Sequence, residues 1–338
     1  MKKKIFVICP AFFKTGGTEL LHQLVFSLNQ NGYESYIVYL YSSSERNINP
    51  SFKKYVSNYF TYESVKKEKN VLFVIPETFT FLLKDLPPEN VVVWWESVDN
   101  YKMKFLNDIH YNGFLVSLYH WIKRNVYLRF LRPSLFPASI AQLRKAKGNL
   151  YQSEYARKFL EEKKIARNVF PLSDFLNDNY YSNEARIDFE KKEDIVIYNP
   201  KKGKKETTRI IRKFRNITFI PLINMSNNEI ISLMSRAKVY IDFGSHPGKD
   251  RLPREAAMMH CCVITNLCGS AFFSNDVSIP MKYKFDDYHL NFQKLENTIK
   301  ACFRNYPSCD KDFDYYRSKI CKEKELFLKS LSCFTFFC

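Results

Sequence analysis

The segment Tyr240-Ile-Asp-Phe-Gly-Ser-His-Pro-Gly-Lys-Asp-Arg-Leu-Pro-Arg-Glu-Ala-Ala257 gathers more usable chemistry than any other part of the chain. A strand-forming run ends at Phe243-Gly244, and Pro247-Gly248 makes a turn. Pro253 suits the first turn of a helix, where its missing N–H costs nothing. Lys249, Arg251 and Arg254 crowd the positive end of that helix, against its macrodipole. A sequence accepts such crowding more readily where an anion binds. The spacing puts Glu255 in the first turn, where it can accept hydrogen bonds from ribose hydroxyls, with Gly248 and Asp250 in the approach loop.

Other segments could serve the same ligand. Tyr198-Asn-Pro-Lys-Lys-Gly-Lys-Lys205 follows a strand-like run and sets Lys201 and Lys202 beside a glycine. An ammonium pairs with a phosphate as a point charge; a solvated lysine turn reads the same way. In Lys14-Thr-Gly-Gly-Thr-Glu19, Gly16 and Gly17 let backbone approach a ligand at a helix N-terminus. It is neither GxxxxGK[ST] nor GxGxxG, and a plain tight turn fits equally. Asn266-Leu-Cys-Gly-Ser-Ala271 offers Ser270 at a strand exit. Trp94-Trp-Glu-Ser-Val-Asp-Asn-Tyr101 places Glu96 and Asp99 where they could bind hydroxyls or act as a base. His22 and His120 read as structural. Asp310-Lys-Asp-Phe-Asp314 has a metal-binding DxD spacing, but no strand precedes it and it reads as a solvated helix face.

These residues need elements to hold them. Ile5–Cys9 is apolar throughout, as in a strand buried on both faces. Leu20, Leu21, Leu24, Val25 and Leu28 share one helical face over Thr18–Asn31, and Ser35–Tyr41 is the next strand. This βαβ unit predicts a parallel sheet. Asn70–Ile75, Asn90–Trp95 and Gly148–Gln152 continue it, the last closing this half. Asn177–Asp194 reads as a linker. A second series runs through Asp194–Tyr198, Thr218–Pro221, a helix at Ser226–Ala237, Val239–Phe243, a helix near Pro253–His260 and Cys262–Thr265. Two doubly wound α/β domains are expected, facing one cleft at the carboxyl ends of their strands. Their bounds are expected at 1–165 and 166–310, with a helical tail over 311–338.

Composition narrows the class. The 338 residues are 46% apolar and 26% charged, the balance of a packed globular protein rather than a disordered or fibrous one. Fifty-two Lys and Arg against 35 Asp and Glu give +17, which favours an anionic partner without choosing it. An AT-rich coding sequence would also enrich Lys, Asn, Ile, Phe and Tyr. Nine cysteines without a CxxC argue against a disulfide framework or zinc site and for reduced thiols in the cytosol. Met1-Lys-Lys-Lys before Ile5 mimics a signal peptide, but Pro10 cuts the apolar run short. No stretch reaches the roughly 18–20 apolar residues of a membrane span. Between Asp108 and Glu154 there is no acid, and Lys123, Arg124, Arg129, Arg132, Arg144, Lys145 and Lys147 interleave with Trp121, Tyr127 and Phe130. That mixture, over 118–147, suits an anionic membrane surface. Packed helices with snorkelling cations would look alike.

In order and spacing, Gly16-Gly17-Thr18-Glu19, Tyr151-Gln-Ser-Glu-Tyr-Ala156, Asn199-Pro-Lys-Lys-Gly203, Tyr240–Ala257 and Gly269-Ser-Ala271 resemble the GT-B glycosyltransferases of bacterial surface polysaccharides. The resemblance spans roughly residues 5–285. It implies a GT-B fold and transfer of a sugar from a nucleotide-diphosphate donor to a hydroxyl of a lipid-linked glycan such as lipopolysaccharide or capsule. The enzyme would work peripherally on the cytoplasmic face of the membrane. The first domain would bind the acceptor and the second the donor, with Gly17 near the donor phosphates, Lys201 or Lys202 on the diphosphate and Glu255 on the ribose. No metal or other cofactor is expected, because cations and helix amides offset the leaving charge. The family often carries a second glutamate eight positions before the ribose one, and here Pro247 stands there. His246, Lys249 or Asp250 could replace it at the sugar, so Glu96, Asp99 and His246 are the catalytic candidates. A non-catalytic GT-B-like nucleotide- or glycan-binding protein is the alternative. Nucleic-acid binding is not expected, since only charge speaks for it.

Overall fold

Ile5, Val7, Ile8 and Cys9 are fully shielded from solvent in β1 (Lys4–Pro10). A strand so uniformly apolar can only sit inside a sheet covered on both faces. The computed structural model describes residues 3–40, 48–101, 114–123, 126, 133–184, 186–286 and 289–338. They form two compact units: Met1–Lys102, Lys123–Asp174 and Glu325–Cys338 make one, and Met103–Ile122 and Phe175–Lys324 the other.

The first unit is built on a seven-stranded parallel sheet. It comprises β1, β2 (Ser35–Leu40), β3 (Tyr59–Thr61), β4 (Val71–Pro76), β5 (Val91–Trp95), β6 (Gly148–Tyr151) and β7 (Val169–Pro171), in the order β3-β2-β1-β4-β5-β6-β7. The chain winds outward from β1 one way and returns at β4 the other way, so the switch point lies between those two strands. Helix α1 (Gly16–Gln30) leaves β1 under a reciprocal cap. Thr15 accepts from the Thr18 amide, and Thr18 accepts from the Thr15 amide. Trp94 and Trp95 point to opposite sheet faces. Trp94 Nε1 donates to the Leu172 carbonyl at 2.9 Å and Trp95 Nε1 to Asn149 Oδ1 at 3.0 Å, so each buried indole is satisfied.

The second unit holds a five-stranded parallel sheet: β8 (Glu193–Tyr198), β9 (Thr218–Pro221), β10 (Ala237–Asp242), β11 (Cys262–Asn266) and β12 (Lys284–Phe285). Its order is β12-β11-β10-β8-β9, so the winding reverses between β8 and β10. Helices Lys204–Lys213, Asn227–Arg236 and Arg251–Met258 follow β8, β9 and β10.

The structure departs from the sequence reading at the short elements. β3, β7 and β12 have three, three and two residues, too few to show a period. β7, not Gly148–Gln152, therefore closes the first sheet. Part of the expected linker is a helix, Asp178–Glu184, with Tyr180 buried in the second unit's core. The expected tail over 311–338 is no separate body. Helix Asp314–Cys321 belongs to the second unit, and Glu325–Cys338 packs on the first. Phe334 and Phe337 are buried there, and a Cβ on Gly148 would stand 2.4 Å from the Phe337 ring. Phe170 meets Phe337 edge-on at 5.5 Å, and Tyr33 Oη lies 2.9 Å from Thr335 Oγ1. An uncovered apolar flank of the first sheet gives the Phe-rich segment its place.

Candidate functional site

Two loops flank the switch point of the second sheet, one after β8 and one after β10. The β8 loop carries Lys201, exposed, and Lys202, half-buried, and then bends through Gly203 at φ +55°. A Cβ on Gly203 would stand 2.0 Å from the Phe243 carbonyl oxygen, so only glycine lets the two loops touch. The β10 loop is tied to the β11 exit in the same way. The Ser270 amide donates to the His246 carbonyl at 2.9 Å, Ser270 Oγ to the Gly248 carbonyl at 2.6 Å, and Asn266 Nδ2 to the Gly244 carbonyl at 2.6 Å.

Inside these loops is a charged cluster. Asp250 pairs with the Lys202 ammonium, and its other oxygen stands 2.9 Å from His246 Nδ1. His246 Nε2 faces Asp242, 3.3 Å from its carbonyl and 3.7 Å from a carboxylate oxygen. Asp242 also accepts from Tyr240 Oη at 2.9 Å and the Gly244 amide at 3.1 Å. Burial opposes charge on His246, but Asp242 and Asp250 outweigh it and raise its pKa. Burial also opposes charge on Asp250, yet Lys202 and His246 hold it well below the usual carboxylate range. Burial likewise works against the Lys202 ammonium, and Asp250 and Asp242 overcome it. Donor atoms of Asp242, His246 and Asp250 lie within 4.8 Å of one another, a spacing that could hold a cation. Lys202 already brings a positive charge to that cluster.

The cations read as crowding the next helix are placed differently. Helix Arg251–Met258 starts at Arg251, with Asp250 as its N-cap. Glu255 is consequently its fifth residue and half-buried, beyond the first turn. Arg254 is fully buried, and its Nη1 donates to Glu323 at 2.7 Å, while Nε and Nη2 donate to the Asp250 and Lys249 carbonyls. Lys249 pairs with the same Glu323 at 2.7 Å. The anion inferred from the crowding of Lys249 and Arg254 is thus supplied by the chain itself, from a residue 69 positions beyond Arg254 that no local pattern could reveal. His246 has no exposed surface, so it braces the loop where a substrate contact was expected.

At the switch point of the first sheet, Gly16 and Gly17 open α1. A Cβ on Gly17 would stand 2.5 Å from Glu96 Oε2, so this carboxylate lies over the helix N-terminus. The Glu96 amide donates to Glu77 Oε2 at 3.0 Å. Burial pushes the Glu77 pKa up to about 7, against hydrogen bonds from the amides of Glu96, Glu77 and Ser97 and from the Asn100 side chain. Asp99 turns elsewhere and accepts from Tyr155 Oη at 2.7 Å. Glu77, Asp242 and Glu323 escaped the sequence reading. Glu77 and Asp242 carry the signal that picked out Glu96, a carboxylate at a strand's carboxyl end.

The remaining candidates are structural or lie outside the described residues. His22 is buried between the Thr18 carbonyl and Tyr39 Oη, and burial lowers its pKa to about 4. Asp310 is not on a solvated face: it is buried, with Arg317 at 2.9 Å and His260 at 2.9 Å. Within the basic-aromatic stretch, Tyr119, Trp121 and Ile122 are exposed on helix Phe114–Ile122. Arg124, Tyr127, Arg129, Phe130 and Arg132 fall outside the described residues. No described helix is long and apolar enough to cross a membrane.

No protein-family model matches the sequence, and no curated protein matches it. Solved structures do match its fold. The sucrose-phosphate synthase of Thermosynechococcus elongatus superposes with a TM-score of 0.61 at 10% identity, over 98% of this chain and 97% of its own. An α-glucosyltransferase in complex with UDP and a 13-mer DNA gives 0.56 at 12%, over 99% and 100%. WaaG, a glycosyltransferase involved in lipopolysaccharide biosynthesis, gives 0.52 at 12%, over 93% and 95%. Two doubly wound parallel sheets, matched over nearly the full length of each of these proteins, give this chain the GT-B fold.

Proposed function

We propose that the protein is a glycosyltransferase that moves a sugar from a nucleoside diphosphate to a hydroxyl of a bacterial surface glycan. The observation that carries this reading is the glycine-built, cationic pair of loops at the β8/β10 switch point. Ligands of open α/β sheets bind at such crevices, and an α-glucosyltransferase of the same fold holds UDP.

In this reading the second unit binds the donor. Lys202, with Lys201 beside it, turns from Asp250 to the diphosphate, and Arg251 and the Gly248 backbone line the same edge, while Lys249 stays with Glu323 and Ser270 holds the loop from behind. Arg254 acts from beneath, by fixing the carbonyls of Lys249 and Asp250. Glu255 accepts the ribose hydroxyls. The acceptor oxygen attacks the anomeric carbon, the bond to the diphosphate breaks and the hydroxyl proton passes to a carboxylate base; the cations stabilise the charge that develops on the leaving group. No metal is required for that step. Gly17 lets the Glu96 carboxylate lie over the N-terminus of α1, where it is the carboxylate for the acceptor hydroxyl. WaaG, a glycosyltransferase involved in lipopolysaccharide biosynthesis, supports a lipid-linked acceptor, and the exposed Tyr119, Trp121 and Ile122 would be the contact with the inner membrane face.

Calorimetry against UDP, GDP, ADP and their sugars tests the donor site. Lys202→Ala and Glu255→Ala are each expected to weaken the preferred nucleotide at least tenfold, about 1.4 kcal/mol. Parent-like affinity in both variants would remove the assignment. A second reading, a nucleotide-binding partner without transferase activity, draws on Pro247 standing where the family's sugar-contacting glutamate is found. Binding without transfer or donor hydrolysis would select it.

A further inference from the structure

The loop between β1 and α1 carries a feature that its connecting role does not require. Phe12 lies at φ +65°, and the Phe13 amide donates to the Ala11 carbonyl at 2.9 Å. A bond spanning three residues around such a φ is a γ-turn of the strained hand. Glycine takes this backbone freely, whereas a bulky aromatic does not. The turn is nevertheless clamped: Thr18 Oγ1 donates to the Phe13 carbonyl at 3.1 Å, and Asn49 Nδ2 approaches the Phe12 carbonyl at 3.4 Å.

The clamp holds apolar rings in water, with Phe13 66% exposed and Phe12 42%. Their loop is tied to the first turn of α1 through the Phe13 carbonyl, and the Glu96 carboxylate lies over that same turn. Strain kept at such a place is a mark of a ligand contact. Two rings are too few for a protein interface, which takes about 800 Å² from each partner. Exposed aromatic rings on a loop tied to a helix turn that carries a carboxylate acceptor match a pyranose, whose C–H face stacks while its hydroxyls donate.

We propose that Phe12 and Phe13 form a saccharide platform, on which the acceptor sugar stacks with a hydroxyl toward Glu96. The assignment of that sugar as the acceptor rests on the glycosyl-transfer reading; the platform itself does not. The test uses the full chain with Phe13→Ala and Phe12→Gly, probed by saturation-transfer NMR with methyl α-D-glucopyranoside, methyl β-D-galactopyranoside and N-acetylglucosamine. The parent is expected to saturate the ring protons of at least one probe. Phe13→Ala loses that signal at least fivefold. Phe12→Gly also loses it while its Tm stays or rises, a combination that a merely structural residue would not give. UDP binding is measured alongside. Equal saturation of the saccharide in parent and variants, or none in the parent, overturns the platform. A saccharide signal present in the parent and absent from both variants, with no nucleotide binding in any protein, leaves the platform standing and removes the donor reading.

Discussion

Glu77 shows how much a single buried carboxyl can govern. Its folded pKa, about 7, lies above the ordinary value of 4.5. Between those values the folded chain holds a proton that the unfolded chain has shed, so this group's contribution to stability falls as pH rises. The total is on the order of 3 kcal/mol. His22 works in the opposite sense, since its lowered pKa means stability gained as pH rises from about 4 to 6.5. Glu77→Gln is therefore expected to become more stable relative to the parent as pH climbs from 4.5 to 7, in urea melts at each pH. A constant difference across that range would show that Glu77 does not titrate there. Gly17 was visible in the sequence because glycine is scarce and sits where strand meets helix. Glu77 carries the same strand-end signal as Glu96, but its role as acceptor of the Glu96 amide depends on β4 and β5 lying side by side, which no local pattern shows.

At the level of elements, helix Arg251–Met258 is anchored by a contact far along the chain. Arg254 has no exposed surface, and Glu323 supplies its countercharge. Removing one partner of such a pair costs roughly 3–5 kcal/mol, because the remaining charge stays buried. Glu323→Ala should lose that much in chemical denaturation and should also loosen the Lys249–Asp250 turn, seen as faster amide exchange there. A loss below about 1 kcal/mol, the range of exposed pairs, would contradict the burial. The strands of both sheets were legible wherever an apolar run exceeded four residues. The helix start was misplaced because Pro253 is tolerated throughout the first turn, whose amides have no helical acceptor in any case. The cations around Arg254 were legible as a cluster but not as an internal one, since their anion lies in another element.

For the whole molecule, two α/β units were readable from alternating strands and helices, whereas their membership was not. Local pattern says nothing about which body a terminal helix joins. Phe334 and Phe337 have no exposed surface in the first unit. Phe337→Ala is expected to cost about 3–5 kcal/mol of first-unit stability, with faster amide exchange in β6 and β7 and unchanged exchange in the strands of the second unit. Uniform exchange across both units would refute that confinement. The same return of Glu325–Cys338 to the first unit sets an order of events at the ribosome. Residues 175–324 must all be made before the segment that covers Gly148 and Phe170 exists. The body begun first is finished last, and its open flank is the surface on which a chaperone would find the nascent chain.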